Sequence, residues 1–241
     1  MIVQKYGGSS LADADRIKNV AQRIAKAKER SDNIVVIVSA MGKTTDELIN
    51  LAHQLTDHPG KRELDRLLST GEIISSTLLV MALKPLVCDA VSLTGAEAGI
   101  QTDANFGRAR VVNVNPDRII KEINKGRIVI VAGFQGATKQ GDITTLGRGG
   151  SDVTAVILAV ALKAKICEIY TDVEGIYTAD PRLVPKARKM VEIDYEEMLE
   201  AASSGLKAIH PRAVELGWHY KMPILIASSR GDNPGTVIGS L

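Results

Sequence analysis

This sequence has few aromatic residues and little excess of charge of one sign. Phe, Trp and Tyr make up only 3% of its 241 residues, so it offers few flat side chains on which nucleic-acid bases could stack. The 30 basic and 28 acidic residues nearly cancel, and they form no long block of one sign. Because nucleic acids and anionic membranes attract proteins through concentrated positive charge, neither is expected as a partner.

Long hydrophobic runs, a leader-like start and cysteine pairs are also missing. The uninterrupted apolar runs are shorter than the roughly 20 residues that span a bilayer, and Met1 leads directly into a strand-like segment rather than a signal peptide. Cys88 and Cys167 are isolated in apolar surroundings, which indicates buried, reduced thiols. The four histidines show no metal-ligand spacing with them. We therefore expect a cytoplasmic protein with no membrane segment and no metal held by protein side chains alone.

Strand-like and helix-like patterns alternate along the chain. Continuous apolar runs at residues 34–38 and 128–131 are typical of internal parallel strands, and a further strand is predicted over residues 86–91. Residues 13–30 show the apolar periodicity of an amphipathic helix. This alternation predicts a mainly parallel sheet covered by helices.

The segment around which the chain is organised is the glycine-rich stretch of residues 141–152. Glycine weakens regular structure and is favoured where the backbone bends or approaches a ligand, and glycines surround Arg148 on both sides. Ser151 and Asp152 are N-cap residue types placed just before an apolar run, so they predict the start of a helix whose free N–H groups attract anions. The alternative is a tight connection with a solvated arginine.

Two further glycine loops follow predicted strands. Residues 5–10 read Lys-Tyr-Gly-Gly-Ser-Ser, and a lysine beside close backbone donors suits a transferring phosphoryl group, although a surface turn is the alternative. Residues 39–45 contain Gly-Lys-Thr, but Ile37 stands where a Walker A motif requires its first glycine. A dinucleotide-binding fingerprint fails because Asp152 replaces its last glycine. Neither a P-loop ATPase nor a Rossmann dehydrogenase is supported.

Two segments offer ligand-binding side chains of other kinds. Glu72 follows a glycine that is expected to interrupt a helix, and this carboxylate is either a partner for an ammonium group or a solvated helix residue. Residues 171–182 are rich in turn-forming residues and predict either an acidic hairpin or a nucleotide pocket. In the pocket interpretation Tyr177 provides a flat surface, Arg182 contacts phosphate and Lys207 adds a second cation.

Together these segments resemble the aspartate kinase family, within the amino-acid kinase superfamily. The segments that carry the resemblance are residues 5–10, 39–42, 69–72, 133–136, 144–152, 171–182 and 210–212. The resemblance implies an α/β fold, a three-layer αβα sandwich with a mainly parallel central sheet. It also implies one catalytic domain over residues 1–241, with an amino-acid lobe of about residues 1–130 and an ATP lobe of about residues 131–241.

The resemblance further implies transfer of the γ-phosphoryl group of MgATP to the β-carboxylate of L-aspartate, the first step of lysine, threonine and methionine synthesis. The implied catalytic residues are Lys5, Gly7, Gly8 and Asp152. The implied amino-acid ligands are Ser39, Thr45, Glu72, Arg148 and Ser151. The implied nucleotide ligands are Lys5, Gly7, Gly8, Ser9, Thr171, Asp172, Tyr177, Arg182 and Lys207. Mg²⁺ usually keeps water and phosphate ligands, so no protein ligand is assigned to it.

Three questions stay open at this level. Family members usually continue past a Pro-Gly-Thr segment, here residues 234–236, into ACT-type regulatory domains, whereas this sequence ends at Leu241. We expect no ACT domain here, whether the chain is a natural catalytic-domain form, a truncated chain or a subunit with a separate regulator. We also expect a homodimer or higher homo-oligomer. The alternative functions are a kinase for acetylglutamate, glutamate, carbamate or UMP, or an inactive nucleotide-binding regulatory module.

Overall fold

Strands and helices alternate along most of the chain, as the apolar runs predict. The computed structural model describes residues 1–30, 33–231 and 233–240. The strands are β1 (Ile2–Tyr6), β2 (Ile34–Val38), β3 (Ala90–Leu93), β4 (Ile100–Thr102), β5 (Val111–Val114), β6 (Ile128–Ala132), β7 (Gln135–Ala137), β8 (Ile143–Thr145), β9 (Cys167–Thr171), β10 (Glu192–Asp194), β11 (Ile224–Ser228) and β12 (Thr236–Gly239). The helices are α1 (Ala14–Arg30), α2 (Thr44–Leu55), α3 (Lys61–Leu83), α4 (Asp117–Ile123), α5 (Gly150–Ala161), α6 (Tyr195–Ser203) and α7 (Pro211–Tyr220).

Eight strands form the central sheet, in the order β10-β12-β11-β9-β1-β2-β6-β3. Every neighbouring pair is parallel except β11 and β12. A second sheet of four short strands has the order β5-β4-β7-β8. The predicted α/β fold with a mainly parallel central sheet is therefore confirmed. β1 lies in the middle of the sheet and pairs with both β2 and β9, so the loops that follow these three strands leave from the same edge.

Helices cover both faces of the central sheet, which is why its inner strands are apolar throughout. Every residue of β2 and β6 is buried. On one face α1 and α3 pack through side chains such as Ile24 and Leu79. On the other face α5, α6 and α7 pack through Val156, Met198 and Val214. This arrangement is the three-layer αβα sandwich that the resemblance implies.

Helix α3 differs from the prediction in being continuous. The expected interruption at Glu72 is wrong, because α3 runs unbroken from Lys61 to Leu83. The glycine before Glu72 has a packing role instead, since a Cβ on Gly71 would lie 2.8 Å from the Cβ of Ala40. Gly71 therefore lets α3 approach the loop after β2 closely.

We expect Gly71→Ala to destabilise the protein by about 1–3 kcal/mol, because the added methyl group overpacks the contact with Ala40. Helix propensity alone would predict the opposite change in stability, because it favours alanine over glycine by about 1 kcal/mol. Gly60→Ala is the matched control, since a Cβ there would meet nothing within 4 Å and its φ of −58° suits alanine. Urea unfolding measures both variants. A Gly71→Ala protein as stable as the wild type would contradict this account of α3.

Helix α3 is also the segment that most resembles a membrane helix in composition. Within the described residues, Lys61–Leu86 is long and apolar enough to cross a bilayer, and 44% of its most apolar window is buried inside the protein. Its polar residues Asp65, Glu72 and Ser75 are also buried. Because the helix packs on α1 and on strands of both sheets, it is a core helix of the sandwich.

The strand predicted over residues 86–91 is wrong in position. Residues Lys84–Leu86 form a short 3-10 turn that contains Pro85, and Val87 adopts a left-handed conformation with φ of 59°. Proline lacks a backbone N–H and Val87 reverses the chain, so pairing cannot begin there. The strand starts only at Ala90.

The two cysteines differ in burial. Cys167 is fully buried in β9, and burial raises the pKa of its thiol well above the ordinary range, which makes it unreactive. Cys88 is only half-buried. The expectation that both thiols are buried is therefore correct for Cys167 and wrong for Cys88.

Candidate active site

The glycine loops that follow β1 and β2 pack directly on each other at the edge of the central sheet. A Cβ on Gly8 would lie 2.7 Å from the carbonyl oxygen of Ala40, so only glycine permits this approach. The backbone N–H of Gly7 donates to the carbonyl oxygen of Tyr170 in β9, with an N–O distance of 3.3 Å. Open parallel sheets bind ligands at the carboxyl ends of their strands, and these loops lie at that edge.

Lys5 and Asp152 form an ion pair at the centre of this edge. The Nζ atom of Lys5 lies 2.7 Å from Oδ1 of Asp152, and each side chain is only 12% exposed. The contact is a charge pair rather than an aligned hydrogen bond, since Oδ1 has no donor in hydrogen-bonding geometry among the described residues. The ammonium group also lies 3.6 Å from the position that a Cβ on Gly7 would occupy. The structure thus places three of the predicted catalytic residues together.

Helix α5 begins beside this ion pair, earlier than predicted. It starts at Gly150, and the residue before it, Gly149, has a left-handed φ of 73° and provides no side-chain cap. Ser151 and Asp152 therefore lie in the first turn, and the expectation that they cap the helix is wrong. A Cβ on Gly149 would lie 2.1 Å from the ring of His210, so only glycine fits there. The first turn of α5, with its free backbone N–H groups, lies next to Lys5.

Glu72 is buried with one oxygen left unpaired. The residue is 3% exposed, and its Oε1 atom accepts a hydrogen bond from the backbone N–H of Ala40 at 3.1 Å. Its Oε2 atom has no partner in the part of the chain that the structure describes. Burial raises the pKa of this carboxyl from 4.5 to about 8, opposed by the hydrogen bond from Ala40. A buried carboxyl group with a free oxygen is suited to binding a cation.

The other predicted amino-acid ligands differ in burial and in their contacts. The carbonyl oxygen of Ser39 accepts a hydrogen bond from Ser75 at 2.7 Å, which fixes the loop that also binds Glu72. Ser151 is buried, and its Oγ atom lies 2.9 Å from the position of a Cβ on Gly133. Thr45 is half-buried in the first turn of α2. Arg148 is exposed and has no ion-pair partner within residues 1–30, 33–231 and 233–240, so its guanidinium group is available to a ligand.

The predicted nucleotide ligands fall into two groups. Thr171 ends β9, and its carbonyl oxygen accepts a hydrogen bond from the backbone N–H of Ser229 at 2.8 Å. Its hydroxyl group donates to Asp172 at 3.1 Å, and the exposed residue Ser9 follows the glycine pair after β1. Because β9 pairs with β1, these residues belong to the same edge as Lys5.

The remaining nucleotide ligands lie farther along the chain. Tyr177 forms an isolated antiparallel bridge with Lys189, which agrees with the hairpin-like interpretation of this segment. The guanidinium group of Arg182 makes two hydrogen bonds with Asp180, at 3.0 and 2.8 Å. Lys207 is exposed, and in the described ranges no hydrogen bond or ion pair joins it to Tyr177 or Arg182. Among the described residues no hydrogen bond joins these three side chains to one another.

Sequence reasoning missed two residues that hold the site in place. Asp65, 1% exposed, accepts hydrogen bonds from the backbone and hydroxyl of Thr145, both at 2.8 Å. The backbone N–H of His210 donates to Oδ2 of Asp152 at 3.1 Å, and its ring caps α7 by accepting from the backbone N–H of Arg212. A histidine before a proline that opens a helix could have indicated this cap. Asp65 carries no such signal, because its partners are distant in sequence.

The fold and this edge of the sheet define a class of protein. It is a parallel α/β sandwich in which a glycine loop, a lysine and a helix N-terminus converge, an arrangement suited to a phosphoryl group in transfer. The chain belongs to the amino acid kinase family, whose family model matches residues 1–228.

Similar proteins carry aspartate kinase names. An aspartokinase of Geobacillus stearothermophilus is 54% identical over 238 residues, which are 99% of this chain and 58% of that protein. The crystal structure of aspartate kinase from Synechocystis has a TM-score of 0.88 at 49% identity, covering 100% of this chain and 40% of its own. The crystal structure of E. coli aspartokinase III in complex with aspartate and ADP has a TM-score of 0.88 at 28% identity. The match covers 100% of this chain and 64% of that chain. The chain spans about 58% of the length of the curated relatives it matches.

Proposed function

We propose that this chain carries an ATP-dependent aspartate kinase activity. It transfers the γ-phosphoryl group of MgATP to the β-carboxylate of L-aspartate and gives 4-phospho-L-aspartate, the first step of lysine, threonine and methionine biosynthesis. The observation that carries the proposal is the buried, half-paired carboxyl group of Glu72 beside the glycine loops, because it is suited to the ammonium group of an amino acid. The names of the similar proteins support the same substrate.

At the amino-acid end, Glu72 holds the ammonium group of aspartate. The bound cation favours the ionised form of Glu72, so binding releases the proton that the empty site retains near neutral pH. Arg148 and Ser151 hold the carboxylates, because a free guanidinium group and a hydroxyl group donate to oxygen acceptors. Ser39 and Thr45 complete the contacts with the substrate.

At the reacting centre, the protein supplies positive charge and position rather than a base. A carboxylate with an ordinary pKa near 4 is already ionised at neutral pH. Lys5 and the backbone N–H groups of Gly7 and Gly8 stabilise the charge on the transferring phosphoryl group. Asp152 holds the Lys5 ammonium group in place at 2.7 Å, and the first turn of α5 adds its partial positive charge.

At the nucleotide end, Ser9, Thr171, Asp172, Tyr177, Arg182 and Lys207 hold ATP. To reach phosphate, Arg182 leaves its ion pair with Asp180. The side chain of Arg182 is 87% exposed, and ion pairs of such exposed side chains are weak. Mg²⁺ accompanies ATP and keeps water and phosphate ligands. The proposed amino-acid lobe of residues 1–130 and ATP lobe of residues 131–241 share one sheet through the pairing of β1 with β9.

The proposal is tested by offering a panel of acceptors with MgATP. ADP release is followed by a coupled assay, and acyl phosphate is trapped with hydroxylamine. We expect trapped product with aspartate and none with acetylglutamate, glutamate, carbamate or UMP. Product from another acceptor alone would identify a different kinase of the family. ATP binding without turnover of any acceptor would favour an inactive nucleotide-binding module.

Aspartate affinity is expected to depend on pH because of Glu72. The pKa of its carboxyl is about 8 in the empty site, so below that value aspartate must displace a proton. The affinity should therefore increase about tenfold for each pH unit between 6 and 8 and then level off. Calorimetric titration in buffers of different ionisation enthalpy measures both the affinity and the released proton. A constant aspartate affinity over this pH range would contradict the assignment.

We further propose a cytoplasmic homodimer or higher homo-oligomer. Helix α2 has no buried residue, and Leu51 and Leu55 on it are 49% and 83% exposed. The neighbouring helix α3 exposes Ile74 and Met81. Apolar surface of this kind marks contact with another protein chain, and a separate regulatory subunit is the alternative partner. Light scattering of the purified chain distinguishes the two, since only self-association raises the mass in isolation.

A further inference from the structure

A second cationic cleft lies next to the glycine-rich loop that precedes α5. Its volume is about 540 Å³, and its lining residues are Lys61, Asn105, Phe106, Arg108, Arg110 and Arg212. None of the residues proposed to bind aspartate or ATP lines it. The cleft is therefore separate from the candidate active site.

The cleft contains four cationic side chains and no acidic one. In the described part of the chain, the side chains of Lys61, Arg108 and Arg110 make no hydrogen bond or ion pair. Arg212 donates to the carbonyl oxygen of Leu146 at 2.7 Å, which is a neutral partner. Like charges held together in this way repel each other unless an anion lies between them.

The local backbone explains why the positive charge is not neutralised. Oδ1 of Asp103 accepts hydrogen bonds from the backbone N–H groups of Asn105 and Arg110, at 3.2 and 3.0 Å. Oδ2 of Asp65 accepts one from the backbone N–H of Gly107 at 2.9 Å. Both carboxylates are thus bound to the main chain of the loop, and its guanidinium groups are left for another ligand.

Two helix N-termini add to the positive potential. Helix α3 begins at Lys61 without a side-chain cap, and α7 begins at Pro211, one residue before Arg212. The N-terminal end of a helix carries partial positive charge and attracts anions. The cleft residues Lys61 and Arg212 each lie in the first turn of their helix.

We propose that this cleft binds a small oxyanion with at least two negative charges. Guanidinium groups recognise phosphate and carboxylate oxygens through paired hydrogen bonds. The cleft is concave and of the size of a small-molecule site. A small phosphorylated or polycarboxylate molecule fits these features better than nucleic acid.

The site adjoins the loop proposed to bind aspartate. A Cβ on Gly147 would lie 3.2 Å from the carbonyl oxygen of Gly107 and 3.6 Å from the Cγ atom of Arg108. An anion in the cleft would therefore lie against the segment that presents Arg148.

Calorimetric titration of the wild-type chain with pyrophosphate and with citrate tests the proposal without using enzymatic activity. Arg110→Gln should weaken binding at least about tenfold, since charge-assisted hydrogen bonds are lost. Arg118→Gln is the matched control: it removes the same charge from an exposed arginine that pairs with Glu97 and should stay within about twofold of the wild type. Lys5→Gln should retain the binding of citrate, because Lys5 belongs to the phosphoryl site, where pyrophosphate also binds. The stronger of the two probes identifies phosphate or carboxylate as the preferred group.

Three results would overturn the proposal. The first is that neither probe binds at millimolar concentration. The second is that Arg110→Gln and Arg118→Gln weaken binding equally, which would indicate unspecific charge attraction. The third is loss of citrate binding in Lys5→Gln alone, which would place the anion at the glycine loops instead. Because none of these measurements uses turnover, each outcome is independent of the proposed kinase activity.

Discussion

Glu72→Gln is expected to lower kcat/KM for aspartate by at least a hundredfold and to narrow the preference of the enzyme for aspartate over succinate. The two substrates differ in the ammonium group that Glu72 is proposed to hold. In Glu72→Gln the buried ammonium group of aspartate is left without its partner, which is unfavourable by about 3–5 kcal/mol and exceeds a hundredfold in rate. The wild-type protein should prefer aspartate, because succinate has no ammonium group to pair with the ionised form of Glu72. The neutral amide of the variant no longer requires a cation, so kcat/KM for succinate should decrease much less than kcat/KM for aspartate.

Steady-state kinetics of both substrates with both proteins measures this effect. Glu63→Gln provides the control, since Glu63 is an exposed glutamate in the first turn of the same helix. If Glu72 were a solvated residue of this kind, both variants would stay within about twofold of the wild type. An undiminished preference for aspartate in Glu72→Gln would mean that another group binds the ammonium.

The same variant should be more stable than the wild type at high pH. The pKa of Glu72 is raised from 4.5 to about 8 in the folded protein, so the folded state retains a proton that the unfolded chain loses. The contribution of Glu72 to stability therefore decreases as the pH rises from about 4.5 to about 8, by at most about 4–5 kcal/mol. Glutamine does not titrate and avoids this loss. Urea unfolding at pH 6 and pH 9, without substrates, should show the difference in stability growing with pH. A constant difference would contradict the raised pKa.

Lys5→Ala is expected to reduce kcat by a hundredfold or more, about 3 kcal/mol, with a smaller effect on ATP affinity. The Lys5 ammonium group faces Gly7 and stabilises the charge that develops during phosphoryl transfer. Its removal also leaves the 12% exposed carboxylate of Asp152 without its cation. That carboxylate would then repel the phosphoryl group, which adds to the loss.

Lys43→Ala is the matched control for Lys5→Ala. Lys43 is an exposed lysine in the neighbouring loop after β2, and it belongs to the Gly-Lys-Thr run that imitates a Walker A motif. Its replacement should change kcat by less than about threefold, as is usual for surface positions. An unchanged kcat in Lys5→Ala, or an equal loss in both variants, would remove Lys5 from the catalytic residues.

The sequence by itself determined the type of sheet and the positions of its loops. Residues 34–38 and 128–131 are apolar without interruption, and such runs are stable only as strands covered on both faces. Lys5 stands one residue before the end of β1 and two residues before the glycine pair that follows it, so its place at the strand end could be predicted from the local sequence. The same local patterns carried the resemblance to the aspartate kinase family.

The tertiary structure alone decided which of these groups meet and how they are charged. The ion pair of Lys5 with Asp152, the support of Asp152 by His210 and the three hydrogen bonds of Asp65 join residues far apart in the chain. No local spacing encodes such contacts. Likewise, the sequence around Glu72 does not indicate how deeply it is buried, but burial moves its pKa to about 8. Burial depends on how α3 packs against the sheet and the loop after β2, which only the folded chain defines.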